Sequence, residues 1–308
     1  MKKQIAVLDL GTNTFHLLIA ELTQEQSIKE IYMDKKDVKL GEGGITAGLI
    51  TAASFQRGVD AMIAFKKVID SYSITSVYAT GTAALRTASN GNDFINKVKE
   101  ETGITIEIID GDREASLIYN GVQQAVPIDQ SSLILDIGGG SAEFILCNQQ
   151  EILFKKSYPL GAARLMALYH HSDPIQESDI NTIHQYLDEQ LADLKLAAAK
   201  YKPQILIGSA GAFETFADLA IKKFQLSGRQ SLIGYKVSVA HFQSIVKDLI
   251  LSDHQHRVAN VTISPVRVDM IVVAAILAIY VLDELKIPAI ALSTYALKEG
   301  LLYEKLNA

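Results

Sequence analysis

The chain has 308 residues, more than one domain usually contains, and this length predicts two domains. Hydrophobic residues make up 48% and charged residues 21%, which is typical of a folded protein rather than a disordered one. The formal net charge of -6 argues against a broad basic face, so neither nucleic acid nor a membrane surface is expected as a partner.

The cysteine content and the apolar segments bear on the cellular setting. Cys147 is the single cysteine and cannot form an internal disulfide, so a reducing cytoplasm is expected. The N-terminal residues lack the apolar stretch and the cleavage site of a signal peptide. The most apolar segment, residues 270–282, is too short for the roughly 20 residues that cross a bilayer, and it predicts a buried helix.

The first predicted element is a β-hairpin. A buried strand over residues 5–8, a Gly-Thr-Asn-Thr turn and a second apolar run over 15–20 indicate two antiparallel strands. The GEGG segment at 41–44 is interpreted as a turn, and a helix is expected over 52–72.

The next elements alternate between strand and helix. A strand over residues 76–79 leads through a Gly-Thr-Ala turn to a helix near 93–102, and a β-branched strand follows over 104–109. This alternation predicts an α/β fold. Later elements are a helix over 113–123, a long helix over 179–201, a strand over 204–208, and helices over 268–285 and 294–306.

The hairpin then occurs a second time. Asp136 corresponds to Asp9 and Ser141 to Thr14 at a constant offset of 127 residues. The same offset relates the strand that follows each turn, so the chain contains an internal repeat on the scale of a domain. A domain boundary is expected near residues 115–130.

Each hairpin combines a carboxylate at the end of a buried strand with a turn of small residues. Backbone N–H groups in such turns are suited to phosphate oxygens. A tight turn capped by its own aspartate would explain either copy alone. Two copies in similar frames favour phosphate binding, because a simple turn need not be duplicated together with its aspartate.

Three segments resemble the phosphate and nucleoside motifs of the actin, Hsp70 and sugar-kinase superfamily: IAVLDLGTNTFHLLIA, LILDIGGGSAEFILC and GSAGAFETFADL. Together with ATGTAALR, GDREASLIYNGV, SYPLGAARL, SPVRVDMIVVAAIL and STYALKEGLL, they resemble more narrowly the exopolyphosphatase and guanosine pentaphosphate phosphohydrolase family. Long members of that family carry an additional C-terminal helical region that this chain lacks.

The resemblance implies a fold and a domain arrangement. The expected fold is α/β, with two similar ribonuclease H-like (actin-like ATPase) domains, mixed sheets flanked by helices, and an active site in the cleft between the domains. Domain I is expected over residues 1–118 and domain II over 119–293. The C-terminal helix, about 294–308, is expected to pack back on domain I.

The resemblance also assigns roles at the reacting end of the substrate. Glu114 matches the family's general base, although a glutamate in the first turn of a helix is also expected simply to complement the helix dipole. Arg113 stands where the family usually has an acidic residue, and it could contact either a substrate oxygen or a salt-bridge partner. Arg86 matches an arginine that binds phosphate, where a guanidinium can engage two oxygens at once.

A magnesium site is expected from three carboxylates, Asp9, Asp136 and Glu143. Mg²⁺, with Mn²⁺ as an alternative, prefers oxygen ligands and keeps several waters beside phosphate. For Glu143, an exposed position on its strand remains the alternative.

The remaining candidates are expected to contact phosphate units. Gly208, Ser209, Gly211 and Ala212 would line a loop that receives adenosine in the kinases, and whether it binds a nucleoside here is left open. Arg164 and Arg267 would contact a longer chain or form structural ion pairs. The donors expected in the two hairpin turns are Thr12, Asn13, Thr14, Gly138, Gly139, Gly140 and Ser141.

The expected activity is Mg-dependent hydrolysis of the terminal phosphoanhydride of inorganic polyphosphate, releasing orthophosphate. The closest competitor is the same reaction on guanosine pentaphosphate. Two more functions stay open, namely a kinase of the same superfamily and a sensor that binds polyphosphate or nucleotide without turnover. A homodimer is the base-rate expectation for the assembly.

Overall fold

The computed structural model describes residues 4–23, 28–226 and 234–307. The chain divides into two compact units. Unit 1 comprises Met1–Gly121 and Leu297–Ala308, and unit 2 comprises Val122–Ala296. Over the described ranges, no helix combines the length and the apolar character that a membrane span needs.

Unit 1 contains a sheet of five strands. The strands are β1 (Gln4–Leu10), β2 (Thr14–Leu22), β3 (Ile28–Asp37), β4 (Ser76–Gly81) and β5 (Ile106–Ile108). They lie in the order β3-β2-β1-β4-β5, with β1 antiparallel to β2 and parallel to β4. The first predicted hairpin is therefore confirmed, while the strand predicted over 104–109 is shorter than expected.

Unit 2 contains a sheet of six strands. The strands are β6 (Ser132–Ile137), β7 (Ala142–Cys147), β8 (Ile152–Tyr158), β9 (Ile205–Ser209), β10 (Lys236–Val237) and β11 (Ile290–Ser293). Their order is β10-β11-β9-β6-β7-β8. The run β8-β7-β6-β9-β11 repeats the order β3-β2-β1-β4-β5, with β6 antiparallel to β7 and parallel to β9. The internal repeat is thus confirmed at the level of topology.

Helices flank both sheets. Those of the described ranges are α1 (Ala52–Ser71), α2 (Ala83–Thr87), α3 (Gly91–Thr102), α4 (Gly111–Ala125), α5 (Ala162–Tyr169), α6 (Glu177–Gln190), α7 (Ala192–Tyr201), α8 (Ala210–Phe224), α9 (Val239–Leu251), α10 (His254–Ala259), α11 (Met270–Glu284) and α12 (Leu297–Asn307). Two mixed sheets flanked by helices are the secondary structure that the predicted fold class requires.

Two features of the helices bear on the sequence predictions. Nearly every residue of α11 is buried, as expected for a helix that is apolar on all faces. The prediction of one long helix over 179–201 is wrong, because the chain forms two helices, α6 and α7, that are separated at Leu191, whose φ and ψ are -99° and 14°. Leu187, Leu191 and Leu194 are all buried, so the apolar pattern continues through the break and could not reveal it.

In unit 1, α12 packs closely on α4. The backbone of Gly300 lies so near the backbone of Leu117 that a Cβ atom at Gly300 would overlap the Leu117 carbonyl group. A second tie between the two helices is the ion pair of Arg113 and Glu304, with Nη2 and Oε1 2.5 Å apart. The position of α4 therefore depends on a helix from the other end of the chain.

Candidate active site: two phosphate-type turns and their carboxylates

The turns of the two hairpins close in the same way. In unit 1 the N–H of Gly11 donates to the carbonyl of Thr14 at 3.2 Å. A Cβ atom at Gly11 would lie 3.0 Å from that oxygen, and a Cβ atom at Gly138 would lie 3.0 Å from the oxygen of Ser141. Equivalent positions thus have equivalent steric surroundings in the two turns. A glycine at each position lets the turn close tightly.

The first turn is held by the loop that contains the GEGG segment. The N–H of Lys39 donates to the carbonyl of Asn13 at 2.7 Å, and the N–H of Gly41 donates to the carbonyl of Thr12 at 3.1 Å. The side chain of Thr12 packs against Gly41 and the residue is 3% exposed. The GEGG segment is therefore a turn, as predicted, and its neighbours fix the conformation of the first hairpin turn.

Arg86 and Glu114 are brought together in unit 1. They follow β4 and β5, which are parallel neighbours, so they lie at the carboxyl ends of adjacent strands. Nη1 of Arg86 donates to Oε2 of Glu114 at 2.9 Å and to the carbonyl of Ile109 at 2.9 Å. Glu114 is 6% exposed. The predicted base is therefore a buried carboxylate in an ion pair with the predicted phosphate-binding arginine.

Arg113 forms a salt bridge, one of the two outcomes that the sequence left open. Its guanidinium binds Glu304 of α12, and its backbone N–H donates to Oδ1 of Asp110 at 2.7 Å. The hydrogen bond from Arg113 is the main reason that the pKa of the Glu304 carboxyl lies below its ordinary value. Arg113 thus contributes to the packing of α4 on α12.

Two buried carboxylates stand side by side in unit 2. Asp136 on β6 and Glu143 on β7 are directly opposite each other in the antiparallel pair, so their side chains share one face of the sheet. Asp136 is 7% exposed and Glu143 is 1% exposed. The hydroxyl of Ser209 donates to Oδ2 of Asp136 at 2.6 Å, and the hydroxyl of Ser157 donates to Oε1 of Glu143 at 2.7 Å. The alternative of an exposed Glu143 is therefore wrong.

The donor set of this pair fits a hard divalent cation. Burying two neighbouring carboxylates is costly unless positive charge compensates them. Mg²⁺ typically takes one or two carboxylates and completes its shell with water and substrate phosphate. Asp9, the third predicted ligand, lies in unit 1, where its cross-strand partner is His16 rather than a glutamate. Within residues 4–23, 28–226 and 234–307, no group of three or more His, Cys, Asp or Glu side chains is arranged to hold a metal ion.

The second turn is held by the start of α5. The N–H of Ala162 donates to the carbonyl of Gly138 at 2.8 Å, and the N–H of Ala163 donates to the carbonyl of Gly139 at 3.0 Å. Gly161 lies against the backbone of Gly139 and Gly140, where a Cβ atom would overlap both residues. The first turn of α5 therefore sets the conformation of the Gly138–Gly140 backbone.

The predicted loop over residues 208–212 is instead the end of β9 followed directly by the first turn of α8, and two large side chains pack against it. A Cβ atom at Gly208 would overlap the ring of Phe213, and one at Gly211 would overlap the guanidinium of Arg267. The guanidinium of Arg267 therefore lies against the first turn of α8. Nε of Arg164 is 3.4 Å from the carbonyl of Gly140, a long hydrogen bond to the second turn.

The predicted site residues fall into two sets, one in each unit. The unit 1 set is Asp9, Thr12, Asn13, Thr14, Arg86 and Glu114, and the unit 2 set is Asp136, Gly138, Gly139, Gly140, Ser141, Glu143, Gly208, Ser209, Gly211 and Arg267.

Sequence reasoning missed two residues that belong to the unit 2 set. Ser157 binds Glu143, and Gly161 packs on the second turn. Both fall within the segment SYPLGAARL, so the motif was identified without these individual roles. Cys147 is excluded as a nucleophile at neutral pH, because burial raises the pKa of its thiol to about 12.

Paired hairpin turns with carboxylates at the ends of neighbouring strands define a protein of the actin-like class. A crystal structure of an exopolyphosphatase from Cytophaga hutchinsonii matches with a TM-score of 0.95 and 41% identity, covering 99% of this chain and 98% of its own. The Ppx/GppA enzyme of Aquifex aeolicus has the same fold, with a TM-score of 0.82, 21% identity, and coverage of 99% and 100%. The predicted fold of two mixed sheets flanked by helices in an actin-like arrangement is therefore confirmed, while the active site in a cleft between the domains stays a prediction.

Sequence comparison gives the family. The model of the Ppx/GppA phosphatase family matches residues 18–308. A curated relative, a putative exopolyphosphatase of Haemophilus influenzae, is 26% identical over 301 residues, which are 98% of this chain and 91% of the relative. The chain belongs to the Ppx/GppA phosphatase family, a family of hydrolases, and the family predicted from its motifs is confirmed.

Proposed function

We propose that this protein is a Mg-dependent exopolyphosphatase, which hydrolyses the terminal phosphoanhydride of inorganic polyphosphate and releases orthophosphate. The observation that carries the proposal is the partly buried ion pair of Glu114 and Arg86. Membership of a phosphatase family and the similarity to the exopolyphosphatase of Cytophaga hutchinsonii support the same reaction.

Glu114 is the proposed general base. An ion pair with Arg86 requires an ionised carboxylate, which is the form that accepts a proton from the attacking water. Since Nη1 of Arg86 is also bound to the Ile109 carbonyl, the arginine holds the glutamate at a fixed place at the start of α4. Water held there attacks the terminal phosphorus in line with the departing oxygen. Glu114 takes the water's proton, and the shortened chain leaves with the electron pair of the broken P–O bond.

Charge on the transferred phosphoryl group is proposed to be met by the two turns and by Arg86. Backbone N–H and hydroxyl groups of the turns at 11–14 and 138–141 are donors of the kind that stabilise phosphoryl oxygens. Donors of this kind give a net acidic protein local attraction for a polyanion.

Asp136 and Glu143 are the proposed magnesium ligands in unit 2, with Asp9 contributing from unit 1. When bound, the ion would neutralise part of the phosphate charge. Ser209 and Ser157 each hold one oxygen of these carboxylates and so orient them.

Guanosine pentaphosphate is the second candidate substrate, because its 5′ end carries the same terminal phosphoanhydride and the family includes both activities by name. The surroundings of residues 208–211 favour polyphosphate, because the guanidinium of Arg267 packs against Gly211 and places a cation beside the first turn of α8.

The test is orthophosphate release from polyphosphate of defined length by the wild type and by Glu114→Gln, with and without Mg²⁺. A positioned general base contributes about 10²- to 10⁴-fold, so kcat of Glu114→Gln is expected to fall by that factor. The matched control is Glu107→Gln, which removes the same charge from an exposed position on neighbouring β5 and should leave kcat unchanged.

Three results would contradict parts of the proposal. Equal rates for Glu114→Gln and the wild type would show that Glu114 is not the general base. A higher kcat/KM on guanosine pentaphosphate than on polyphosphate would select the second candidate. Binding of polyphosphate without release of orthophosphate would indicate a sensor.

A further inference from the structure

Arg257 is a fully buried arginine outside the proposed site. It lies on α10 and is 2% exposed. A buried guanidinium is tolerated only when its N–H groups are hydrogen bonded. Nε donates to the carbonyl of Val268 at 2.7 Å, Nη1 to the carbonyl of Ser252 at 2.5 Å, and Nη2 to Oδ1 of Asp173 at 2.8 Å. One side chain thus joins three separate segments of unit 2.

The first of these segments carries Arg267. Val268, whose carbonyl is bound by Arg257, directly follows Arg267, whose guanidinium lies on Gly211. Nη2 of Arg257 is also 3.4 Å from Oδ1 of Asp269, on the other side of Val268. The backbone around Arg267 is therefore fixed from inside the unit, while its side chain reaches Gly211 in the first turn of α8.

The second segment leads to the Gly138–Gly140 turn. Asp173, the carboxylate partner of Arg257, follows α5 in the chain, and the start of α5 is bonded to the turn through Ala162 and Ala163. Arg257 thus binds one end of the region whose other end contacts the turn. Two of the three segments joined by Arg257 therefore lead along the chain to Arg164 and to Arg267.

We propose that Arg257 is a positioning residue for the phosphate contacts of unit 2, and that it acts through the placement of Arg267. Arg257 does not touch the substrate. It fixes the backbone of Arg267 relative to the first turn of α8, so its removal weakens binding of the phosphate chain more than it slows the chemical step. The inference rests on the proposed function, because Arg267 is taken to bind substrate phosphate.

A purely architectural role for Arg257 is the competing explanation, and unit 2 contains a suitable control. Asp188 accepts bonds from Lys195 and from the hydroxyl of Tyr280, each at 2.5 Å, and so joins α6, α7 and α11. Asp188→Asn weakens a polar network that likewise joins three segments, at a side chain that is 55% exposed. In the part of unit 2 that the structure describes, none of the Asp188 bonds given reaches the 264–269 segment.

The experiment is a double-mutant cycle of Arg257→Lys and Arg267→Ala, measured as KM and kcat for polyphosphate hydrolysis. Lysine keeps the charge but cannot reproduce the fork of bonds to Val268, Ser252 and Asp173. We expect Arg257→Lys to raise KM about tenfold, as for the loss of one charge-assisted hydrogen bond, with kcat nearly unchanged. In the Arg267→Ala background, Arg257→Lys should have no further effect on KM, while Asp188→Asn should leave KM at the wild-type value.

Several outcomes would overturn the proposal. Independent, multiplying effects of the two substitutions on KM would show that Arg257 does not act through Arg267. An equal rise of KM in Asp188→Asn would indicate a general loss of structure. If Arg257→Lys fails to fold, the same double-mutant cycle is measured with Asp173→Asn in its place. If both variants fail to fold while Asp188→Asn folds, Arg257 has only an architectural role. A wild type without activity on polyphosphate would refute the proposed function itself, before any variant is compared.

Discussion

Gly161 provides the sharpest test of how α5 shapes the second phosphate-type turn. Its backbone has φ and ψ of -63° and 149°, which alanine adopts without strain. A Cβ atom, however, would lie under 3.0 Å from the backbone of Gly139 and Gly140. Carbon atoms pack at about 3.5–4.0 Å, so the turn and α5 must separate by about 1 Å in Gly161→Ala.

The expected cost in stability is small and the expected cost in activity is large. Overpacking costs about 1–3 kcal/mol. The lower entropy of the unfolded alanine chain offsets about 0.4–1 kcal/mol of it. We therefore expect a net loss of about 1–2 kcal/mol in the free energy of unfolding. A misplacement of about 1 Å can reduce turnover about 100-fold, so kcat/KM on polyphosphate should fall by about that factor.

The assay combines urea unfolding, followed by circular dichroism because the chain has no tryptophan, with orthophosphate release. Gly103→Ala is the matched control, since its Cβ would meet nothing within 4 Å while its φ of 71° makes alanine strained. It should lose about 1 kcal/mol of stability with unchanged activity. Activity of Gly161→Ala within twofold of the wild type would refute the reasoning that α5 sets the turn.

Three further predictions concern helix packing, pH and metal. Gly300→Ala should lower the stability measured in urea, because the new Cβ overlaps the Leu117 carbonyl. This loss is expected even though alanine is favoured over glycine in a helix by about 1 kcal/mol. A variant as stable as the wild type would contradict this contact. Arg113 depresses the pKa of Glu304, so this carboxylate stabilises the fold above its unfolded pKa, and the stabilisation is lost as pH falls through the folded pKa. The free energy of unfolding of Glu304→Gln should therefore fall less than that of the wild type between neutral and acidic pH. Identical pH dependence in the two proteins would contradict a stabilising pair. Mg²⁺ should raise the melting temperature of the wild type but not of Asp136→Asn, and an equal shift in both would exclude Asp136 as a ligand.

The sequence predicted those features of the fold that depend on local pattern. Both hairpins were predicted, because alternating apolar runs around a glycine turn allow few other structures. The offset of 127 residues then predicted the common topology of the two units. At the same offset, His16 corresponds to Glu143, so the repeat holds for the strand pairing but not for this side chain. Only unit 2 therefore has a cross-strand carboxylate pair on its hairpin.

Features that depend on tertiary contacts could not be predicted. No sequence pattern links Arg86 to Glu114, which are 28 residues apart and meet only because β4 and β5 are neighbours. The break at Leu191 was missed because buried leucines continue the helical period on both sides of it. The role of Arg113 depended on which helix packs beside α4, and Glu304 lies 191 residues further along the chain.

The return of α12 to unit 1 has a consequence for synthesis on the ribosome. Unit 2 is one continuous segment, Val122–Ala296, so all of its strands and helices have been made before α12 appears. Unit 1 begins first but lacks α12, and with it the Gly300 and Glu304 contacts to α4, until residues 297–308 have been added. Domains usually complete folding in the order of synthesis. Here the N-terminal unit is the second to be completed, so α4 and Glu114 gain their final support only after the whole of unit 2 has been made.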